Sequence, residues 1–235
     1  MKGPLGALRF PHNAFRREVE EIETVGHNLA ADNRAGLRAL SERFEAFLDA
    51  LKDHEHVEEA VLFPAIDERA PRVVRAYVLD HRSLDGVVEA IGGDLGALAT
   101  DAGPVGRDSA VKGLQRNLVA LNAIMPLHLK KEEEHLLAVV DELFSPPEQG
   151  ALIGRMAGSL PPERMLHAAT YMFARLTPDD REALLRAWKA GMPAPVFQGI
   201  VRKLASATSG VEWAEMATRI PDLAAPAEVA SAGRN

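Results

Sequence analysis

Residues 53–64 read DHEHVEEAVLFP. Two histidines and three glutamates crowd the front of this stretch, and Val61, Leu62 and Phe63 come directly after. A four-residue step on a helix turns through about 400°, so His54 and Glu58 share a face about 6 Å apart along the axis. Taken alone, the pair also fits an ordinary solvated helix face. A second stretch repeats it: residues 128–137 read HLKKEEEHLL, with His128 and Glu132 at the same spacing and another apolar run behind them. Each unit can point one imidazole and one carboxylate at a shared centre.

Outward from these units the apolar period is helical nearly throughout. Phe15, Val19, Ile22, Val25 and Leu29 mark a first helix from Phe10 to about Asp32. After DNRAG, Leu37, Leu40, Phe44, Phe47 and Leu51 continue a second to about Glu68. RAPR ends it, with Pro71 placed in the first turn of a third helix that runs from about Arg72 to Ala99. TDAGPVGRDS (100–109) reads as a loop, and a fourth helix runs from about Ala110 to Phe144. Four long helices with short joints predict an all-α, up-down-up-down four-helix bundle over residues 8–145. Shorter helices punctuated by proline fill a C-terminal helical extension, 146–221, in which Trp188, Phe197 and Trp213 read as core. The tail, 222–235, lacks bulky residues and reads as disordered.

Two single histidines join the repeated units. In an up-down bundle, residues at one height are symmetric about the turn between them. The midpoint of His12 and His54 falls at residue 33, within DNRAG. That of His54 and His81 falls just before RAPR, and that of His81 and His128 inside the glycine-rich loop. Three separate turns thus place His12, His54, His81 and His128 at one level. Cysteine is absent, which excludes disulfides, thiolate catalysis and iron–sulfur clusters. A set of four His and two Glu without thiolate suits first-row metals. It exceeds one closed zinc site and fits two ions bridged by Glu58 and Glu132.

This order (His, His-x-x-x-Glu, His, His-x-x-x-Glu) resembles the hemerythrin-like, or HHE cation-binding, family. PHNAFRREVEEI, HEHVEEAVLFPAI, LDHRSLD and LHLKKEEEHLL look like its characteristic segments, over residues 10–144. The resemblance implies a four-helix bundle holding two iron ions, a non-haem diiron centre with an oxo or hydroxo bridge. By match, the metal ligands are His12, His54, Glu58, His81, His128 and Glu132. Oxygen-carrying hemerythrins have a second His one turn further along the third helix, where this chain has Asp85. They also ligate through an Asp five residues after the last His, where this chain has Glu133. The chain is therefore more similar to bacterial hemerythrin-like proteins and to the hemerythrin domains of eukaryotic iron-sensing ubiquitin ligases. Glu55 matches a further ligand position in one such sensing domain.

Other residues take supporting places. Tyr77, one turn before His81, could hydrogen-bond an oxygen species held at the centre or simply pack there. His135 lies seven residues after His128 and is expected to face inward. His56, Glu59 and Glu133 are expected on the wet side, and His27 is structural.

The function expected on these grounds is to bind, sense or process oxygen or a related small molecule, peroxide or nitric oxide. No catalytic residue is assigned. A competing reading makes the bundle an iron- or oxygen-responsive adaptor whose helices 146–221 contact a protein partner. A ferritin-like carboxylate oxidase needs Glu-x-x-His units, and Glu132 and His135 supply one. A net charge of −7 argues against nucleic acid. With no long apolar run and no signal-peptide pattern, no membrane span is expected and the compartment expected is the cytoplasm.

Overall fold

The computed structural model describes residues 3–30, 32–100, 103–220 and 223. Its elements are a short 3-10 turn (Pro4–Leu8), then α1 (Arg9–His27), α2 (Arg34–Val57), a π-helical turn (Glu58–Leu62) and α3 (Phe63–Arg69). They continue through α4 (Arg75–Ala99), α5 (Gly103–Lys131), a second π-helical turn (Glu132–Leu136) and α6 (Leu137–Leu143). Five further helices follow among the described residues: α7 (Pro146–Gly158), α8 (Pro162–Arg175), α9 (Pro178–Gly191), α10 (Ala194–Ala207) and α11 (Gly210–Arg219). No strand occurs among the described residues, and no described helix is long and apolar enough to cross a membrane. The expected tail, 222–235, lies outside the described residues except for Leu223.

Two compact units divide the chain, Met1–Met165 and Leu166–Asn235. In the first, α1 packs against α2 and α5, and α4 packs against the same two. This closes the up-down-up-down four-helix bundle. Phe15 and Phe47 meet edge to face at 6.0 Å in its core, with Phe44 5.9 Å from Phe47. Beyond the π-helical turns, α3 and α6 touch each other. There Leu62, Ile66, Tyr77, Leu136 and Val140 build an apolar floor that Leu152 and Met156 of α7 join. Residues after 145 were expected in the extension, but α7 belongs to this unit because its apolar face completes that floor. Ser145 and Glu148 form a capping box at its start, with Pro146 in the first turn.

Two helix starts differ from expectation. α4 begins at Arg75 rather than Arg72, because Arg72 takes a left-handed backbone (φ 77°) while its N–H donates to Asp67 Oδ1 at 2.7 Å. Pro71 therefore sits in a turn, not in the helix. α5 begins at Gly103, inside the expected loop. Pro104 is tolerated there because the N–H it lacks has no intrahelical acceptor in a first turn.

The second unit buries Phe173, Leu184, Leu185, Phe197, Val201, Trp213 and Met216. Of the expected core aromatics, Phe197 and Trp213 are buried and Trp188 is half-buried. Thr177 and Ser209 cap α9 and α11. The buried Arg181 donates to the carbonyls of Phe173 and Ala174, closing the end of α8.

Phe47 is fully enclosed. Phe47→Ala is expected to destabilise the protein by about 3–5 kcal/mol. The check is a lowered urea midpoint with an unchanged transition slope; a midpoint equal to wild type would show that this layer is not the core.

Candidate metal centre

The eight histidines divide cleanly. His12, His54, His81 and His128 are buried, whereas His27, His56, His135 and His167 are exposed. His12 stands in the first turn of α1 and His81 in the second turn of α4. His54 and His128 stand in the last turns of α2 and α5. Glu58 and Glu132 each open a π-helical turn, and both are 1% exposed.

Those turns are matched devices. The N–H of Phe63 donates to the carbonyl of Glu58, and that of Leu137 to Glu132, each spanning five residues instead of four. Such turns recur at functional sites because they re-aim side chains within a continuous helix. Here two consecutive glutamates in each turn both address the site. Glu58 enters the centre while Glu59 Oε1 pairs with His81 Nδ1 at 2.7 Å. Glu132 enters the centre while Glu133 Oε1 pairs with His12 Nδ1 at 2.9 Å. His128 Nδ1 lies 3.5 Å from Asp80.

With their Nδ1 atoms held outward, the Nε2 atoms of these rings turn inward. Glu132 places one oxygen 3.5 Å from His12 Nε2 and the other 3.5 Å from His128 Nε2. Glu58 places one oxygen 3.5 Å from His54 Nε2 and the other 3.6 Å from His81 Nε2. Two groups of donor atoms result, one from His12, His54, Glu58 and Glu132, the other from His81, His128 and Glu132. The rings pair edge to face across each position, His12 with His54 at 5.2 Å and His81 with His128 at 4.9 Å. Phe15 and Phe63 wall the two sides.

The Nε2 atoms of His12, His54 and His81 and all four oxygens of Glu58 and Glu132 are buried without a hydrogen-bond partner. Seven orphaned polar atoms in one cavity-sized cluster are costly, because each has lost water and gained nothing. Inward lone pairs of imidazole and carboxylate repel unless a cation lies between them. The residues therefore fit a His/carboxylate metal centre, and the donor set suits first-row metals.

Without metal, the same crowding shifts protonation. Burial, then the carboxylates of Asp80 and Glu133, push Glu132 up to about 8. Burial and Glu132 also raise Glu58 well above the usual carboxylate range. Burial lowers His12 and His54, and takes His128 down to about 4.

Two expected participants stand apart. Glu55 is buried, but its Oε2 pairs with Lys52 at 2.8 Å and it joins neither donor group. Burial raises its carboxyl. The Tyr77 hydroxyl donates to the carbonyl of Lys131 at 3.5 Å, and burial pushes it up to about 12. Asp85, where oxygen carriers have a histidine, pairs with Lys52. His135 is exposed to solvent rather than turned inward. The π-helical turn inserts one residue between it and His128, rotating the helix beyond by about 100°. Its exposure removes the Glu-x-x-His unit on which the ferritin-like reading rests. Glu59 is exposed, as expected, and Glu133 is half-buried; each also pairs with an imidazole of the cluster. The only sequence signal for them was the doubled Glu in both repeated units.

The family described as hemerythrin HHE cation binding domain matches residues 4–140. The chain belongs to this family. Among curated relatives, Zinc finger protein BRUTUS of Arabidopsis thaliana is 25% identical over 194 residues, covering 81% of this chain and 15% of that protein. A BRUTUS-like protein of the same plant (At1g74770) is 27% identical over 173 residues, covering 72% of this chain and 14% of its own length. These relatives are BRUTUS proteins, not oxygen-carrying hemerythrins, and this hemerythrin-family chain spans about 15% of the length of the first. The BRUTUS match covers more of the chain than residues 4–140 can hold, so it continues into the helices beyond the family domain. No solved structure matches the chain.

A pH profile tests the crowding. The stability that protonated Glu132 contributes is complete below its unfolded value of 4.5 and disappears as pH rises through about 8. Glu58 acts in the same direction. The lowered histidines are neutral in both states above pH 7 and add nothing there. From pH 7 to about 8 the metal-free protein should lose up to about 1.4 kcal/mol per pH unit for each carboxyl that stays protonated only in the folded state, and the part due to Glu132 should level off above pH 8. Chemical denaturation at several pH values measures this; a flat profile would contradict the burial of both carboxylates.

Proposed function

We propose that the bundle holds two iron ions, one between His12 and His54 and one between His81 and His128, with Glu58 and Glu132 spanning both. We further propose that this non-haem diiron centre binds, senses or processes oxygen or a related small molecule such as peroxide or nitric oxide. The observation that carries the reading is the set of seven buried, unpartnered donor atoms converging from four helices. Iron in such a site supplies an open coordination position and one-electron chemistry toward these molecules. The protein's own residues supply the rest. Glu59, Glu133 and Asp80 orient the rings of His81, His12 and His128, and Phe15 and Phe63 exclude water from the rings of His54 and His81. Glu55, buried with Oε1 unpartnered, would be available as a further ligand if its pairing with Lys52 opened.

A second reading has two supporting observations. Arg164 Nη2 and Nε hold the buried Asp53 at 2.8 and 3.1 Å, and Asp53 directly precedes His54. The likeness to BRUTUS also continues past the family domain. In this reading the bundle is an iron- or oxygen-responsive adaptor, and residues 146–221 contact a protein partner.

Protein purified without chelators should contain about two iron per chain, with near-ultraviolet absorption that changes on reduction. His54→Ala and His128→Ala should each lower iron to one equivalent or fewer while far-ultraviolet circular dichroism stays helical. A folded, metal-free wild-type chain that takes up no iron from solution would refute the diiron reading.

A further inference from the structure

The centre repeats itself across the bundle, yet its surroundings do not. His12 and His81 correspond, as do Glu133 and Glu59, which hold their Nδ1 atoms at 2.9 and 2.7 Å. Glu133 is itself gripped by Arg16, whose two terminal nitrogens lie 2.9 Å from its two oxygens. A bidentate guanidinium takes up the charge of a carboxylate. At the corresponding place on α4 stands Asp85, an acid, and Glu59 has no cation partner among the described residues. The second ring on that side, His128, faces Asp80, which Lys131 shares.

A carboxylate that accepts an imidazole N–H raises the basicity of the opposite nitrogen and so its grip on a metal. A carboxylate already committed to arginine does this less. Glu59 is half-exposed, and solvent screens its charge at a distance, but its bond to His81 is direct.

Resting on the metal-centre reading above, we infer that the two metal positions are inequivalent and fill in order: the His81/His128 position first, because Glu59 is not offset as Glu133 is by Arg16. Glu59, Asp80, Glu133 and Arg16 are thus positioning residues that rank the two halves of a repeated site.

Cobalt(II), added anaerobically to the metal-free chain, tests this by calorimetry and visible absorption. Glu59→Gln keeps the shape and a hydrogen-bond acceptor but loses the charge. It should weaken binding of the first equivalent about 10- to 100-fold. Glu133→Gln should leave the first equivalent unchanged and weaken the second. Arg16→Gln should narrow the gap between the two. Asp80→Asn probes the favoured side without touching Glu59 and should also weaken the first equivalent. Circular dichroism checks that each variant is folded. Equal effects of Glu59→Gln and Glu133→Gln on the first equivalent, or a larger effect of Glu133→Gln, would overturn the ranking while leaving the metal centre intact. A wild-type chain that binds no cobalt and no iron would overturn both.

Discussion

Everything in the bundle is arranged around a repulsion that the protein alone does not relieve. Four imidazoles and two carboxylates are withdrawn from water and aimed at one another with their acceptor atoms facing in. In an ordinary core such groups would pair with donors, and cores that leave them unpaired are destabilised by each orphan. Here the donors are spent on the outside: the rings of His12 and His81 reach a carboxylate with Nδ1 and present Nε2 inward. That division of labour makes sense only around positive charge, and it explains why the protonation states of the metal-free site are pushed so far from their usual ranges.

The same requirement accounts for the two π-helical turns. A regular helix spaces consecutive side chains by about 100°. Glu58 and Glu59, and likewise Glu132 and Glu133, must serve one centre and the ring of a neighbouring helix together. Each helix opens by one residue at that point and then resumes as α3 or α6. The change of phase turns His135 to solvent and lays Leu136, Leu137 and Val140 onto the apolar floor shared with α3 and α7. A local accommodation to the centre thereby sets the packing of the bundle's end.

The repeat is also where this chain departs from an oxygen carrier. A histidine of those proteins is replaced by Asp85, which pairs with Lys52, and Lys52 in turn holds Glu55. The position that could have supplied a further imidazole instead belongs to a small acid–lysine cluster beside the site. The relatives point the same way, since they are BRUTUS proteins in which a segment of this kind is a minor part of a far longer chain.

The amino-acid sequence by itself determined the helices, their antiparallel order and the level at which His12, His54, His81 and His128 meet. Helical period, turn residues and the symmetry of an up-down bundle are local or nearly local properties. The doubled His-x-x-x-Glu units identified Glu58 and Glu132 for the same reason, since four residues return to one face. Only the tertiary structure decided what surrounds them. Whether Glu59 reaches His81, whether Glu133 meets Arg16, and whether His135 turns inward depend on a one-residue change of helix phase and on neighbouring helices. Neither leaves a periodic trace in the chain. The placement of α7 with the bundle was equally hidden, because proline marks where a helix starts but not which apolar surface it will cover.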